Sequence, residues 1–432
     1  MIRFIYNLLW PIGLLFFLPG YLRKMVRRGG YREKFGERLG IYSRELRSRL
    51  SHQRSTWLHA VSVGEVNIAL TLANSLRALE PDLRCVLTTT TTTGFALAKQ
   101  KAPPWVKVMY TPLDYWPIMR RAFSMIRPAR IVLVEAEVWP NLAAQAHAGG
   151  IPLMLVNARL SPRSEARYRK FRAFVAPTFR LLNLACVPER QDINRWSALG
   201  VPRDRIQVTG NVKYDPDGHS ERNPVGASVS EVLSSVSPDH PVLFGGSTHR
   251  GEEEILARVF LRLRRQFPSL RLFIAPRHVE RLAEIRAQLN ASGLRIALAS
   301  EVTDHGLNEA DCILLDTTGE LQRWYGVATV VFIGKSLTAH GGQNPVEPIL
   351  AGKPVVFGPH MENFGTLAKA LVTKHGAIEV SGADVLEHAI VELLRDSDGR
   401  QQLVNNAREV LKTHQGATAR AAALIHELHS SL

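Results

Sequence analysis

The stretch "TWLHAVSVGEVNIALTLANSLRAL", Thr56 to Leu79, decides the fold. Thr56–Val63 reads as a buried strand, and Glu65–Leu79 reads as the helix that follows it. A strand that passes through Ser-Val-Gly into a helix is one half of a βαβ unit, and its turn commonly cradles an anion. Glu65 stands in the first turn of that helix, where its charge would repel a phosphate. It either complements the positive end of the helix or serves chemistry.

The same grammar repeats on both sides. "RCVLTTTT" (Arg84–Thr91), "ARIVLVEAE" (Ala129–Glu137), "IPLMLVNARLS" (Ile151–Ser161), "LACVPER" (Leu184–Arg190) and "RIQVTGNVKYD" (Arg205–Asp215) are strands and strand exits separated by helical patterns. Composition shifts at Pro216–His240, a Pro-, Gly-, Ser- and charge-rich linker. The alternation resumes with "PVLFGGST" (Pro241–Thr248), "LRLFIAPRH" (Leu270–His278), "CILLDTTG" (Cys312–Gly319) and "TVVFIGKSL" (Thr329–Leu337). Continuous apolar strands alternating with amphipathic helices predict an α/β protein of two Rossmann-like domains facing a cleft. The expected divisions are 1–28 (anchor with basic flank), 29–215 (first domain), 216–240 (linker), 241–383 (second domain) and 384–432 (C-terminal helices).

The 432 residues carry 54 Lys and Arg against 39 Asp and Glu, a formal charge of +15 that favours an anionic partner. Aromatics are only 7% and the basic residues are scattered, which argues against nucleic acid as that partner. Cys85, Cys186 and Cys312 are far apart and form no ligand spacing, so reduced thiols in the cytosol are expected. Phe4–Leu22 contains no charged residue, and as a helix it would reach about 28 Å, just enough to span a bilayer. Arg23, Lys24, Arg27 and Arg28 follow it, predicting an N-terminal membrane anchor or interfacial helix with the body on the cytoplasmic side. Pro11, Pro19 and Asn7 weaken the spanning form.

The polar clusters fall where strands end, the ligand edge of open α/β sheets. In "GGSTHRGEEE", Ser247, Thr248 and Arg250 suit an anion, whereas Glu252 to Glu254 complement a helix dipole. Arg277 in "APRH" is placed to pair with a phosphate. "TTGEL" brings Thr318, Gly319 and Glu320 to another strand exit. In "AHGGQNPVEP", Asn344 caps a helix started by Pro345, with Val346 and Glu347 in its first turn. In the first half, Glu135 and Glu137 share a strand end, Lys213 approaches the domain border, and "TTTTTTG" offers hydroxyls or simply a β-branched strand and a cap. Asp215 and Asp217 have the D-x-D spacing of a metal motif, but before a glycine they read as a turn. No other metal set is apparent in the sequence.

Taken together, "WLHAVSVGE", "TTTTTTG", "EAEVWPNL", "NARLS", "GNVKYD", "APRH", "GEL" and "GGQNPVEP" resemble, in this order, the 3-deoxy-D-manno-octulosonic acid (Kdo) transferases of Gram-negative lipopolysaccharide synthesis. The resemblance covers almost the whole chain. It implies the GT-B glycosyltransferase fold and transfer of Kdo from CMP-Kdo to the lipid A precursor, lipid IVA. It implies Glu65 as the catalytic base and Glu135 and Lys213 as transition-state stabilisers. It implies CMP contacts at Pro276 and Arg277, at Thr318, Gly319 and Glu320, and from Asn344 to Glu347, with Pro345 and Val346 as spacers. CMP-Kdo is then a co-substrate and no cofactor or metal is expected. The partners would be a phosphorylated lipid A precursor and the anionic surface of the inner membrane.

Two alternatives stand beside this reading. One is another enzyme of the same fold, a UDP-sugar transferase or nucleotide-sugar epimerase. The other is a non-catalytic basic protein that binds membrane or nucleic acid, with strongly salt-dependent affinity.

Overall fold

β1 (Ser55–Ala60) is buried along its whole length, with Trp57 packing into one hydrophobic cluster and Leu58 and Ala60 into another. This alternation places a packed layer on each face of the sheet to which β1 belongs. The computed structural model describes residues 3–11, 13, 20, 34–50, 54–215, 240–301, 310–317 and 320–430. The chain divides into two units, Met1–Ser220 with His414–Leu432, and Glu221–Thr413.

The first unit holds β1, β2 (Cys85–Thr89), β3 (Val106–Tyr110), β4 (Pro128–Val134), β5 (Leu153–Val156), β6 (Leu184–Val187) and β7 (Ile206–Val208). They form one sheet in the order β3-β2-β1-β4-β5-β6-β7. β1 pairs in parallel with both β2 and β4, and Leu58 lies opposite Leu87 and Val132. In β4, Ile131 and Leu133 join the Trp57 cluster while Val132 and Val134 join that of Leu58. The strand order reverses between β1 and β4, which makes their carboxyl ends the expected ligand edge of this unit.

The second unit holds β8 (Val242–Thr248), β9 (Arg271–Pro276), β10 (Ile296–Leu298), β11 (Cys312–Leu314), β12 (Val330–Ile333), β13 (Val355–Phe357) and β14 (Ile378–Glu379). Their order is β10-β11-β9-β8-β12-β13-β14, parallel throughout, with the reversal between β8 and β12. Both halves of the α/β reading are therefore present. Cys85, Cys186 and Cys312 are buried free thiols, two of them in strands β2 and β6 and the third in β11.

Two expected boundaries are corrected. The C-terminal helices do not form one segment. Ala383–Arg395 and Ser397–Lys412 belong to the second unit, whereas Ala417–Ser430 belongs to the first. Ala417, Ala421, Ala422 and Ile425 pack into the cluster of Leu58, beside Leu72 and Leu76 of the helix Val63–Leu79. The small residues let the two helices approach. Asp215 fixes the join, its buried carboxylate accepting hydrogen bonds from Gly416 N (2.9 Å) and Thr418 N (2.7 Å). Asp215 is thus a cap for the returning chain; the turn expected after it falls on residues 216–218, outside the described residues. Asp217 and most of the expected linker, residues 216–239, lie outside the described residues. Asp215→Ala would leave one buried and one half-buried N–H group without their charged acceptor and is expected to cost the first unit about 2–3 kcal/mol, read as a lowered urea midpoint.

The second correction concerns the anchor. Among the described residues no helix is long and apolar enough to cross a membrane. Residues 3–11, 13 and 20 are helical, and residue 12 lies outside the described residues. A spanning anchor is not supported by these residues; 14–19 and 21–33 lie outside them. The helical residues dock instead on the first unit. Asn7 and Asn141 exchange side-chain amide hydrogen bonds (2.9 and 3.0 Å), and Trp10 stacks on Tyr115 at 5.3 Å. Phe4, Leu8 and Leu9 remain exposed.

Candidate active site

Ser62 closes β1 and caps the helix Val63–Leu79, accepting a hydrogen bond from Glu65 N. Its hydroxyl also donates to Glu65 Oε1 at 2.9 Å, and Val61 N donates to Glu65 Oε2 at 2.8 Å. This is close to a capping box, with the glutamate reaching back past the cap. The threonines after β2 hold the same turn: Thr91 Oγ1 donates to Val61 O (3.1 Å) and accepts from Gly94 N (3.0 Å). The hydroxyl-rich exit thus braces the turn from which Glu65 hangs.

Glu65 is only 8% exposed. Burial pushes its carboxyl up to about 7, the bond from Val61 N opposes this, and the negative charges of Glu135 and Glu137 push further upward. Glu135 follows β4, so the two glutamates occupy the two strand ends at the reversal. Lys213 lies half-buried in the turn Val212–Tyr214, its N–H held by Asn211 Oδ1 at 3.0 Å. Burial and the nearby Arg159 pull its ammonium below the usual lysine range, while Glu135 acts in the opposite sense. Glu65, Glu135, Glu137, Arg159 and Lys213 thus form one electrostatically linked group at the ligand edge of the first sheet.

In the second unit the exits of β8 and β12 are bound together by Glu252. Its buried carboxylate accepts hydrogen bonds from His249 N (2.8 Å), Lys335 N (2.7 Å), Ser336 N (3.0 Å) and Leu337 N (3.1 Å). The approach is close: a side chain at Gly334 would stand 2.2 Å from Ser247 O. Around this frame gather His249, Arg277, His278, Arg281 and Lys335. Burial first, and then the charges of Lys335, His278, Arg277 and Arg281, hold the His249 imidazole down to about 4. Such a cationic group at a strand reversal fits a phosphate.

Backbone strain marks the same places. Among the described residues, seven non-glycine residues adopt the left-handed conformation disfavoured by side chains; Lys34, Arg127 and His375 lie elsewhere, and the other four are Glu135 (φ 66°), Asn157 (φ 54°), Ser247 (φ 53°) and Lys335 (φ 58°). They stand at the carboxyl ends of β4, β5, β8 and β12. Strain of this kind concentrates at functional sites.

The other expected residues divide. Pro276 ends β9 and is buried, with Arg277 exposed beyond it. Thr318 and Gly319 lie outside the described residues, and Glu320 is the N-cap of the short helix Leu321–Trp324. Asn344 Oδ1 accepts from Val346 N and Asn344 Nδ2 donates to Glu347 Oε1, both at 3.0 Å. The helix Val346–Leu350 carries Glu347 in its first turn, with Pro345 buried at its cap. Ser247 lies on the frame, but Thr248 Oγ1 donates to Glu253 (3.1 Å) and Arg250 pairs with Glu284 (2.9 Å). Both glutamates also pair with Arg281 (3.1 Å to Glu253, 3.4 Å to Glu284), so Thr248 and Arg250 join the cationic group through shared carboxylates. Sequence reasoning gave no role to Asn157, Arg159, His249 or Lys335. Each follows a strand within a few residues, and that position was the available signal.

A family model described as 3-deoxy-D-manno-octulosonic-acid transferase (kdotransferase) matches residues 33–216. A 3-deoxy-D-manno-octulosonic acid transferase of Haemophilus influenzae is 33% identical over 93% of this chain and 92% of its own length. The chain belongs to the Kdo transferase family. It is a glycosyltransferase, and the rival reading as a non-catalytic binding protein falls away. A Kdo transferase of Bordetella pertussis is 31% identical over 84% of this chain and 85% of its own. Among solved structures, a UDP-GlcNAc 2-epimerase of Neisseria meningitidis shares the fold, with TM-score 0.58 and 13% identity over 87% of this chain and 99% of that one. That likeness establishes a GT-B-like architecture for this Kdo transferase and says nothing of its substrate.

Proposed function

We propose that this Kdo transferase moves Kdo from CMP-Kdo to a hydroxyl of a phosphorylated lipid A precursor such as lipid IVA, with inversion, with Glu65 as general base and without a metal in the chemistry. The observation that carries the reading is Glu65 itself, a buried carboxylate lifted to about 7 at the strand reversal of the first unit. A sugar hydroxyl is a weak nucleophile, and a base with a pKa near the working pH accelerates its attack most. Glu65 takes the hydroxyl proton as the oxygen bonds to the anomeric carbon. The bond from that carbon to the CMP phosphate breaks, and CMP departs with the electron pair. One displacement inverts the centre. Lys213, opposed by Glu135, supplies a positive charge for the developing phosphate, and Glu135 stabilises positive charge on the sugar.

Nucleotide binding is assigned to the second unit. Its cationic group, Arg277 and Lys335 above all, suits the single phosphate of CMP, and Asn344 orients Glu347 toward a ribose hydroxyl. Lys335→Ala and Arg277→Ala are each expected to weaken CMP-Kdo binding at least about tenfold in calorimetry with the melting temperature unchanged.

A pocket of 730 Å³ in the first unit supports a phosphorylated lipid acceptor. Arg47, Arg120, Arg121, Arg127 and Trp116 line it, and no acidic residue does. Trp116 N donates to Asn7 Oδ1, which joins the pocket to the segment that exposes Phe4, Leu8 and Leu9. That arrangement suits a helix lying on the cytoplasmic face of the inner membrane rather than crossing it. Incubation with CMP-Kdo and lipid IVA, followed by mass spectrometry of the lipid, tests the whole reading. A lipid heavier by Kdo residues is expected; an unmodified lipid with intact CMP-Kdo contradicts it.

A further inference from the structure

His340, His360 and Glu362 have no role in the reading above. They come from two loops of the second unit, one after β12 and one after β13. Glu362 Oε1 lies 2.8 Å from His340 Nδ1 and 3.6 Å from His360 Nδ1, and one donor atom of each residue falls within 4.8 Å of the others. The two imidazoles are 4.1 Å apart between centroids and tilted by 56°. Donor atoms around a tetrahedral ion with bonds of about 2.0–2.1 Å are separated by roughly 3.3 Å. The cluster is therefore already near the spacing an ion would impose.

The loops that carry these residues are interlocked. Gly341 N donates to Glu362 Oε2 (2.6 Å), which fixes the carboxylate and leaves Oε1 toward the imidazoles. Asn363 N donates to Gly341 O (2.9 Å), His360 N to Ser336 O (3.0 Å) and Gly358 N to Ser336 Oγ (2.8 Å). Gly341 (φ 120°) and Gly342 (φ 64°) permit the turn, and a side chain at Gly342 would stand 2.4 Å from Met361 Sδ. The bond from Gly341 N orients the carboxylate directly, and the others fix the loops that carry the two imidazoles. A simple histidine–carboxylate pair would account for His340 and Glu362, but not for a second imidazole directed at the same oxygen.

We propose that His340, His360 and Glu362 bind one divalent transition-metal ion, Zn2+ by their donor chemistry. Two imidazoles and one carboxylate suit Zn2+ and its neighbours, whereas Mg2+ and Ca2+ favour all-oxygen sets. The residues are exposed or half-buried, so the ion enters from solvent and water completes its shell. It takes no part in bond making. It ties the loop leading directly into Asn344–Glu347 to the loop after β13, and so braces the segment assigned to the nucleotide.

The test uses the full chain stripped with a chelator and titrated with Zn2+ in a calorimeter, with Co2+ as a spectroscopic probe. One saturable equivalent and Co2+ d–d bands are expected, with no saturable Mg2+ signal. His340→Ala and Glu362→Gln change exposed side chains, and circular dichroism checks that both remain folded. Each should weaken the site about 10–100-fold. Absence of a saturable equivalent, affinity unchanged in both variants, or Mg2+ binding equal to Zn2+ would each overturn the assignment.

Discussion

Glu65→Gln is expected to slow Kdo transfer by about 10³-fold while leaving CMP-Kdo binding within twofold of the unmodified protein. The substitution keeps the shape of the side chain and an acceptor oxygen for Val61 N, with the Ser62 hydroxyl reoriented to accept from the new amide, but removes the Glu65 carboxylate that takes the proton. The same change should stabilise the first unit at alkaline pH. Burial holds the Glu65 carboxyl at about 7, against an ordinary value of 4.5 in the unfolded chain. A raised carboxyl contributes stability below its unfolded value, and that contribution is lost as pH rises through about 7. Glutamine never ionises and escapes the loss. By pH 9 the variant should be more stable by up to about 3 kcal/mol, with little difference at pH 4. Urea unfolding at the two pH values reads the gap directly. Full activity in the variant removes Glu65 as the base; a gap that does not open with pH contradicts its burial.

Glu252→Ala is expected to cost the second unit more than about 4 kcal/mol and to abolish nucleotide binding. Four backbone N–H groups converge on this carboxylate, and truncation leaves all of them without a charged acceptor. Glu252→Gln keeps one acceptor oxygen but turns an NH2 group toward donors, so a loss of about 2–3 kcal/mol is expected. Glu254, exposed two residues further along the helix, provides the comparison: Glu254→Gln should change stability by less than about 0.5 kcal/mol. Equal effects at Glu252 and Glu254 would mean that the frame does not depend on the carboxylate.

These three glutamates show what the sequence carried and what it lacked. A run of three acids at a helix start is legible as dipole compensation, and that reading holds for the helix Glu252–Leu263. Which of the three also organises two loops depends on residues more than eighty positions later, and no local pattern encodes it. The strands were legible because buried parallel strands are continuous apolar runs, and Glu65 and Glu135 were legible because they stand where such runs stop. Lys335 stands in the same kind of place, yet a lysine after a strand is common, and only the convergence of β8 and β12 makes it distinctive. The helix Ala417–Ser430 was legible as a helix but not as part of the first unit, since an amphipathic face does not name its partner. Asp215 read as a turn residue; the chain it caps, some two hundred residues further on, was not legible. The uncharged stretch from Phe4 read as long enough to span from its composition; among the described residues no helix is long and apolar enough to do so.

The base assignment is tested most directly by the pH dependence of kcat/KM for the lipid acceptor at saturating CMP-Kdo. Glu65 must be ionised to accept the proton, so the rate should rise tenfold per pH unit below about 7 and level off above it. The residual rate of Glu65→Gln should lack that limb. A profile flat from pH 5 to pH 8 in the unmodified protein, or the same limb in the variant, would contradict the account.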